Sequence, residues 1–164
     1  MKVIFLDFDG VLNSEASFRC ESRRKTRNIQ DLLSPVLCSN LQFILEHDSS
    51  VRLIISSTWR AHHTKVELQN ILNNYGVEAA RIIGYTPRTL GGDRAHEINL
   101  ALEEWPNITK FVIIDDDDDV LNVKDPRGHV FQTTPDDGLT LKQAKKIVEL
   151  FKEADHVRQG GSKQ

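Results

Sequence analysis

Short apolar segments alternate along this chain with segments of helical periodicity, and that alternation decides the fold class. The apolar segments have the length and composition of strands, and they are residues 3–7, 51–56, 81–83, 110–115 and 128–132. Between them, apolar side chains recur every three or four residues, and the helical segments have capping residues at Ser34, Thr64, Asp93 and Thr140. Strands this apolar are typical of a parallel sheet with helices on both faces. The sequence therefore predicts a three-layer, Rossmann-like α/β fold with about five strands.

The length of the chain fits a single domain. Its 164 residues, 39% of them hydrophobic, are enough for one buried core. We assign residues 1–158 to this domain and expect the polar segment 159–164 to be a disordered tail. No apolar run approaches the roughly 20 residues of a membrane-spanning helix. The cysteines, Cys20 and Cys38, lack metal-ligand spacing and are too few to staple the domain, which indicates a cytoplasmic protein.

Charge is distributed unevenly along the chain. The net charge of −3 does not support a strongly basic nucleic-acid binder. Basic residues nevertheless cluster within residues 14–30, whereas residues 115–119 are consecutive aspartates. We interpret residues 14–30 as a basic flap in which Arg23 and Arg24 bind a polyanionic substrate. A solvated surface loop is the alternative interpretation.

Polar side chains stand at the ends of three predicted strands. Asp7 ends the first strand and Asp9 follows it, Ser56 ends the second strand and Ser57 follows it, and residues 115–119 stand at the end of the fourth. Because the carboxyl ends of parallel strands meet at one edge of a sheet, we expect these side chains to converge there. Clustered carboxylates repel one another and recruit a hard cation. An all-oxygen ligand set favours Mg²⁺.

These residues resemble motifs of the haloacid dehalogenase (HAD) superfamily. Residues 7–12, Asp-Phe-Asp-Gly-Val-Leu, are similar to its first motif, DxDG[TV]. Ser56 resembles the second motif, and Asp115 with Asp116, or with Asp119, resembles the acidic fourth motif. The order and spacing of these motifs extend the resemblance over nearly the whole chain.

A narrower resemblance is also present. Residues 56–60, Ser-Ser-Thr-Trp-Arg, and residues 138–140, Gly-Leu-Thr, are similar to small HAD domains of bacterial and phage RNA-repair proteins. The resemblance implies a HAD-like fold and a phosphatase activity.

The resemblance also implies roles for individual residues. Asp7 would be the nucleophile that forms an aspartyl-phosphate, and Asp9 would protonate the leaving group and then activate water. Mg²⁺ would be held by Asp7, the backbone carbonyl of Asp9 and Asp115. Asp116 or Asp119 would bind the ion through water or orient its neighbours.

Further residues would contact the phosphate. Gly10 would let the chain turn and bring backbone amides near the phosphate. Ser56 would donate a hydrogen bond to a phosphoryl oxygen, and Ser57 beside it would also bind the phosphate. The cation of the third motif is assigned to Arg94, just after the presumed cap Asp93.

Two arginine assignments stay open at this stage. Arg88 is the competitor of Arg94, and the superfamily uses lysine at the third motif more often than arginine. Arg60 either clamps a substrate phosphate or packs at the rim of the core. His62 and His63 are interpreted as residues at a helix start.

Together these features predict a Mg²⁺-dependent phosphomonoester hydrolase. The insertion at residues 14–30 is too short for a helical cap domain, so we expect an essentially capless, open site. Capless members resemble phosphatases that act on macromolecules, so polynucleotide ends or nucleotides, as in nucleic-acid repair, are the expected substrates.

Two alternatives remain. A phosphoprotein phosphatase, including one for phosphotyrosine, would use the same open site. A module of another class would bind phosphate and Mg²⁺ for signalling without turnover, as receiver domains do. Receivers carry their phospho-accepting aspartate at the end of the third strand, whereas here that strand is predicted to end at Gly84. The sequence indicates no particular oligomeric state.

Overall fold

The computed structural model of this protein describes residues 1–21 and 32–160. Strands and helices alternate within these residues. The strands are β1 (Lys2–Leu6), β2 (Val51–Ile55), β3 (Ile82–Tyr85), β4 (Lys110–Asp115) and β5 (Gly128–Gln132). The helices are α1 (Glu15–Glu21), α2 (Pro35–His47), α3 (Lys65–Asn74), α4 (Arg94–Glu104) and α5 (Leu141–Gly160). Short 3₁₀ turns form at Thr58–Ala61, Ala79–Arg81 and Asp118–Asn122.

The strands form one parallel sheet with β1 at its centre. The spatial order is β3-β2-β1-β4-β5, and all neighbouring strands run in the same direction. The chain builds outward from β1 through β2 to β3 and then crosses to the other side of β1 to form β4. The strand order therefore reverses between β1 and β4, the position where ligands bind in open α/β sheets.

Helices cover both faces of the sheet, as the three-layer prediction requires. On one face, Ile4 and Leu6 of β1 pack with apolar side chains of α2, α3 and α5. On the other face, Val3 and Phe5 pack with α4. Because β1 is buried along its whole length, the residues that follow it begin inside the core.

The predicted helix starts are confirmed by their hydrogen bonds. The Ser34 hydroxyl accepts from the backbone of Leu37, and Thr64 forms a reciprocal capping box with Glu67. The pair Thr140 and Gln143 makes the equivalent bonds before α5. Asp93 accepts from the backbone of His96, which fixes Arg94 as the first residue of α4.

The third strand differs from the prediction of residues 81–83. Strand β3 begins one residue later, because Arg81 closes a 3₁₀ turn and its guanidinium binds the backbone carbonyls of Leu45 and Asp48. The strand also continues through Gly84, which pairs with Ile54. An added Cβ at Gly84 would lie 3.2 Å from the Trp105 ring, so this glycine lies in close contact with that ring instead of ending the strand.

Two boundary predictions also change. Residues 15–21 form helix α1 in a segment that sequence reasoning treated as an irregular flap. Helix α5 continues to Gly160, so the first two residues of the expected tail are helical because no helix breaker precedes Gly160. Residues 161–164, and Arg23 and Arg24 of the basic flap, lie outside the described residues.

None of the described helices is both long enough and apolar enough to cross a membrane. Between β2 and β4 the chain forms the turn at Thr58–Ala61, α3, the turn at Ala79–Arg81, β3 and α4. That succession accounts for this segment without a second domain.

Candidate active site

The backbone hydrogen bonds of the sheet continue one residue past the strands and fix the residues that follow them. The amide of Asp7 donates to the carbonyl of Ile114 at 3.0 Å, and the amide of Ser56 donates to the carbonyl of Leu6 at 3.0 Å. The amide of Thr133 donates to the carbonyl of Asp115 at 2.9 Å. The ends of β1, β2 and β4 are therefore tied together at one edge.

Three carboxylates meet at this edge. Oxygen atoms of Asp7, Asp115 and Asp116 lie within 4.8 Å of one another, although Asp7 is only 5% exposed and Asp115 is fully buried. Burial, reinforced by the Asp7 carboxylate, raises the pKa of Asp115 to about 7. Burial also raises the pKa of Asp7 and of Asp116. Burial thus disfavours the charged form of all three carboxylates, and the positive charge nearby does not fully offset it.

Arg94 is the cation nearest to this cluster among the described residues. Its Nη1 lies 3.4 Å from Asp7 Oδ1 and 3.2 Å from Asp115 Oδ2, and it donates to the carbonyl of Ser56. Burial opposes the charged form of Arg94, but Asp7 and Asp115 outweigh it and raise its pKa. One guanidinium thus faces three carboxylates, so at least one carboxylate lacks a counter-charge.

The donor set of this cluster fits a hard divalent cation. Asp115 Oδ2 is buried and, despite its 3.2 Å approach to Arg94, makes no well-aligned hydrogen bond within the described chain. An oriented carboxylate oxygen of this kind is an available ligand. Because the side-chain ligands would all be carboxylate oxygens, Mg²⁺ suits the site better than Zn²⁺ does.

Asp9 lies outside the cluster and has partners of its own. Asn13 Nδ2 donates to Asp9 Oδ1 at 2.8 Å, and Trp59 Nε1 donates to Asp9 Oδ2 at 2.9 Å. The Trp59 ring is held in an edge-to-face contact with Phe8, and the Asn13 side chain also accepts from the amide of Gly10. Both oxygens of an exposed carboxylate are thereby fixed in direction.

Gly10 occupies a position that no other residue fits. Its φ of +70° lies in the left-handed region, and an added Cβ would lie 2.3 Å from the carboxylate oxygen of Asp116. The hydroxyl of Thr133 donates to the carbonyl of Gly10 at 2.7 Å. Gly10 therefore lets the first motif turn while Asp116 packs against its backbone.

The two serines after β2 occupy different environments. The Ser57 hydroxyl accepts from the amide of Trp59, and it lies near enough to Asp7 to oppose the rise in the pKa of that carboxyl. The Ser56 hydroxyl is buried and has no hydrogen-bond partner in the described part of the chain. Of the two, Ser57 is the serine in contact with Asp7.

The structure separates the aspartates of residues 115–119 by what they contact. Asp115 and Asp116 join Asp7, as the resemblance implied. Asp119 does not join them: one of its oxygens accepts from the amide of Arg94 at 3.0 Å, so it supports the start of α4 instead. The sequence could not distinguish these residues because the chain turns sharply after Asp115.

The other two aspartates have structural partners. Asp117 caps the 3₁₀ turn by accepting from the amide of Asp119 at 3.2 Å, and Asp118 accepts from the amide group of Gln132. Their carboxylates are not part of the group formed by Asp7, Asp115 and Asp116 among the described residues.

Arg60 is buried but committed to other partners. It forms an ion pair with Glu97, and it donates to the carbonyls of Ser57 at 2.6 Å and of Thr86 at 3.2 Å. A substrate phosphate would have to displace these bonds, so the geometry favours the packing interpretation over the phosphate clamp. Arg88 is exposed and lies on the rim of a cavity that Arg60 also lines.

Three polar contacts of the site escaped the sequence reasoning. Trp59 and Asn13 hold Asp9, and Glu97 neutralises Arg60. Asn13 carried a weak signal, because an asparagine four residues after Asp9 lies where a tight turn would return it to that carboxylate. Trp59 and Glu97 carried none, since their partners are distant in sequence.

Comparisons with known proteins agree with this geometry. Residues 3–144 match the family described as the HAD domain in Swiss Army Knife RNA repair proteins, and the chain belongs to that family. At the level of the family, this indicates a phosphatase-type hydrolase. No curated protein matches the chain.

Solved structures support the same fold. The HAD domain of effector protein Lem4 from Legionella pneumophila is 18% identical, with a TM-score of 0.52 over 93% of this chain and 92% of that one. An inactive mutant of the same domain is 17% identical, with a TM-score of 0.54 over 93% and 91%. These similarities establish the HAD fold of the chain.

Proposed function

We propose that this protein is a Mg²⁺-dependent phosphomonoesterase that works through an aspartyl-phosphate at Asp7 and acts on polynucleotide ends or nucleotides. The observation that carries the proposal is the buried cluster of Asp7, Asp115 and Asp116 facing Arg94 at the switch point between β1 and β4. Such a cluster is costly unless a ligand uses it.

Asp7, Arg94 and Ser56 have different roles at the phosphate. Asp7 attacks phosphorus, with its carboxylate held beside Arg94. Arg94 offsets the charge of the phosphoryl oxygens, and the unpartnered hydroxyl of Ser56 is a further donor for one of them.

Asp9 acts as the general acid and then as the general base. In the first step it protonates the leaving oxygen, and in the second it takes a proton from the water that attacks the aspartyl-phosphate. Trp59 and Asn13 fix both oxygens of Asp9, so the carboxylate needs little reorientation between the steps.

Asp7, Asp115 and Asp116 would hold Mg²⁺, and the backbone carbonyl of Asp9 stays a predicted ligand. The bound ion would supply the positive charge that lets an anionic nucleophile approach an anionic phosphate. Asp119 would act indirectly, through its hydrogen bond to the backbone of Arg94.

Two observations support a nucleic-acid or nucleotide substrate. The family to which the chain belongs is described by its occurrence in RNA repair proteins. In addition, the segment between β2 and β4 adds no domain over the site, which agrees with the open site expected for a large substrate.

Phosphate release tests the proposal. The protein is assayed with Mg²⁺ and with EDTA on a panel of substrates: 3′-phosphate and 5′-phosphate oligonucleotides, mononucleotides and a phosphotyrosine peptide. We expect release from a polynucleotide or nucleotide only with Mg²⁺, and none from Asp7→Asn. Asp118→Asn is the matched control, because Asp118 contacts Gln132 outside the cluster, and it should keep wild-type activity.

Each remaining outcome changes the proposal. Turnover of the phosphotyrosine peptide alone would support a phosphoprotein phosphatase. Phosphate bound without turnover would support a signalling module. Undiminished release by Asp7→Asn would show that Asp7 is not the nucleophile.

A further inference from the structure

Two cavities open on either side of Thr58, and they differ in chemistry. The larger, of about 330 Å³, is lined by Asp9, Leu32, Thr58, Trp59, His62 and His63. The smaller, of about 110 Å³, has a charged lining that includes Arg60, Arg88, Arg94 and Glu97. Thr58 lines both, so the cavities are adjacent.

The position of Asp9 indicates what enters the larger cavity. If the proposed function holds, Asp9 protonates the oxygen that leaves with the alcohol part of the substrate. Asp9 lines the larger cavity, whereas Arg94, which faces the nucleophile Asp7, lines the smaller one. The alcohol part therefore extends from Asp9 into the larger cavity.

The lining of the larger cavity suits a planar ring. Trp59 and His63 stand with ring centroids 5.8 Å apart, and Leu32 adds an apolar side chain. Among the described residues that line it there is no lysine or arginine. Unstacked bases stack on aromatic side chains, including those of tryptophan and histidine.

The size of the cavity favours a nucleoside over a single phenyl ring. A cavity of about 150 Å³ accommodates benzene. The larger cavity has about 330 Å³, so it has room for a sugar and a base together. A tyrosyl side chain would leave much of that space unfilled.

We infer that the cavity lined by Leu32, Trp59, His62 and His63 binds the nucleoside that carries the scissile phosphate. This inference rests on the proposed function and adds to it a subsite for the base. Recognition by stacking tolerates all four bases, so the subsite distinguishes a nucleotide from a sugar phosphate rather than one sequence from another.

Matched oligonucleotides test the subsite. Two phosphorylated oligonucleotides are compared, identical except that one has a terminal base and the other an abasic terminal sugar. Their sugar–phosphate bond and leaving oxygen are the same, so Asp9 has the same task in both. We expect kcat/KM to be about tenfold higher with the base, with most of the difference in KM.

Variants locate the effect within the structure. The double variant His62→Ala/His63→Ala removes two rings of the cavity and should bring the ratio of the two kcat/KM values close to one. His129→Ala is the matched control, since His129 is an exposed histidine of β5 and should leave the ratio unchanged.

The outcomes separate this inference from the proposed function. Equal turnover of both oligonucleotides would overturn the nucleoside subsite and leave the phosphatase intact. A preference for the phosphotyrosine peptide over both would assign the cavity to a phenol instead. A base preference that survives the double variant would show that His62 and His63 do not contact the base. No turnover of any phosphomonoester would instead be a failure of the proposed function.

Discussion

Arg60 and Arg94 are both buried beside the end of β2, and both donate to the carbonyl of Ser56, yet their charge environments differ. Arg60 faces one carboxylate, Glu97, and its other donors bind backbone carbonyls. Arg94 faces Asp7 and Asp115, with Asp116 close behind. Arg60 therefore belongs to a pair with one positive and one negative group, whereas Arg94 is the single cation beside three carboxyl groups in the described part of the chain.

The difference shows how a structural charge can be told from a functional one. The Glu97 carboxylate is fully used, since it pairs with Arg60 and accepts from the amide of Thr89 at 2.9 Å. In the other region Asp115 keeps an oxygen without a well-aligned partner. A satisfied buried pair holds the fold together, whereas an unsatisfied one is a place for a ligand.

The largest expected effect tests the cluster around Arg94 directly. Replacing Asp7 by Asn removes the nucleophile, so phosphate release should fall by roughly 10⁴-fold or more. The change also removes a buried negative charge, so the melting temperature measured in EDTA should not fall. Steady-state kinetics measure the loss of phosphate release, and differential scanning fluorimetry measures the melting temperature. A lower melting temperature with intact kinetics would reverse the functional assignment of the cluster.

The same substitution at the two arginines should separate activity from stability. Arg94→Met should lower kcat by about 10²- to 10³-fold, because the charge near the phosphoryl group is lost. Arg60→Met should lower the free energy of unfolding by about 3–5 kcal/mol, because Glu97 is left as an unpaired buried charge.

Urea denaturation and kinetics on the folded fraction measure these effects. We expect the folded Arg60→Met protein to keep kcat within about tenfold of wild type. A loss of kcat as large as that of Arg94→Met would show that both arginines serve the reaction. Arg88→Met changes an exposed residue at the rim of the smaller cavity. Of the three variants, it should have the smallest effect on kcat and on the free energy of unfolding.

A smaller effect is expected at Trp59, which orients Asp9. Trp59→Phe keeps an aromatic ring and removes the N–H that donates to Asp9, so we expect kcat to fall by about tenfold with alkyl phosphates. An aryl phosphate with a good leaving group needs little protonation and should be affected much less. Single-turnover rates of Trp59→Phe and of the wild type are compared on the alkyl and the aryl phosphate. Equal losses on both would indicate a structural role only.

The last prediction concerns the stability of the metal-free protein. The pKa of Asp115 is about 7 in the folded state against 3.8 for the ordinary carboxyl, so the folded protein holds a proton that the unfolded chain releases. The free energy of unfolding in EDTA should therefore fall as pH rises from about 4 to about 7. Asp115→Asn should flatten this dependence, as measured by urea denaturation across that range. An unchanged slope in the variant would show that another group titrates.

Sequence reasoning succeeded where residues close in the chain define the structure. The capping residues and the apolar strands are local signals, and the aspartates at the carboxyl ends of two strands, Asp7 just after β1 and Asp115 at the end of β4, predict where the site forms. The placement of Arg94 also followed from a local signal, the cap at Asp93, although its contacts could not be read from the sequence.

The rest depended on contacts between residues distant in the chain. Trp59 is fifty positions from Asp9, and Arg60 is thirty-seven from Glu97. No periodicity connects such pairs, so the sequence could not show that one aspartate has two oriented donors and that one arginine is already neutralised. The identical aspartates of residues 115–119 were ambiguous for the same reason.

The central claim is that Asp7 attacks phosphorus, and covalent labelling tests it most directly. Protein is mixed with a ³²P-labelled phosphomonoester and Mg²⁺, quenched in acid within milliseconds and digested for peptide analysis. Asp9→Asn with an aryl phosphate is the variant of choice, because the first step needs little acid catalysis and the second lacks its base. The account predicts acid-stable label on the peptide that contains Asp7 and none in Asp7→Asn/Asp9→Asn. Turnover by the wild type with label at another residue, or equal label in the double variant, would contradict it.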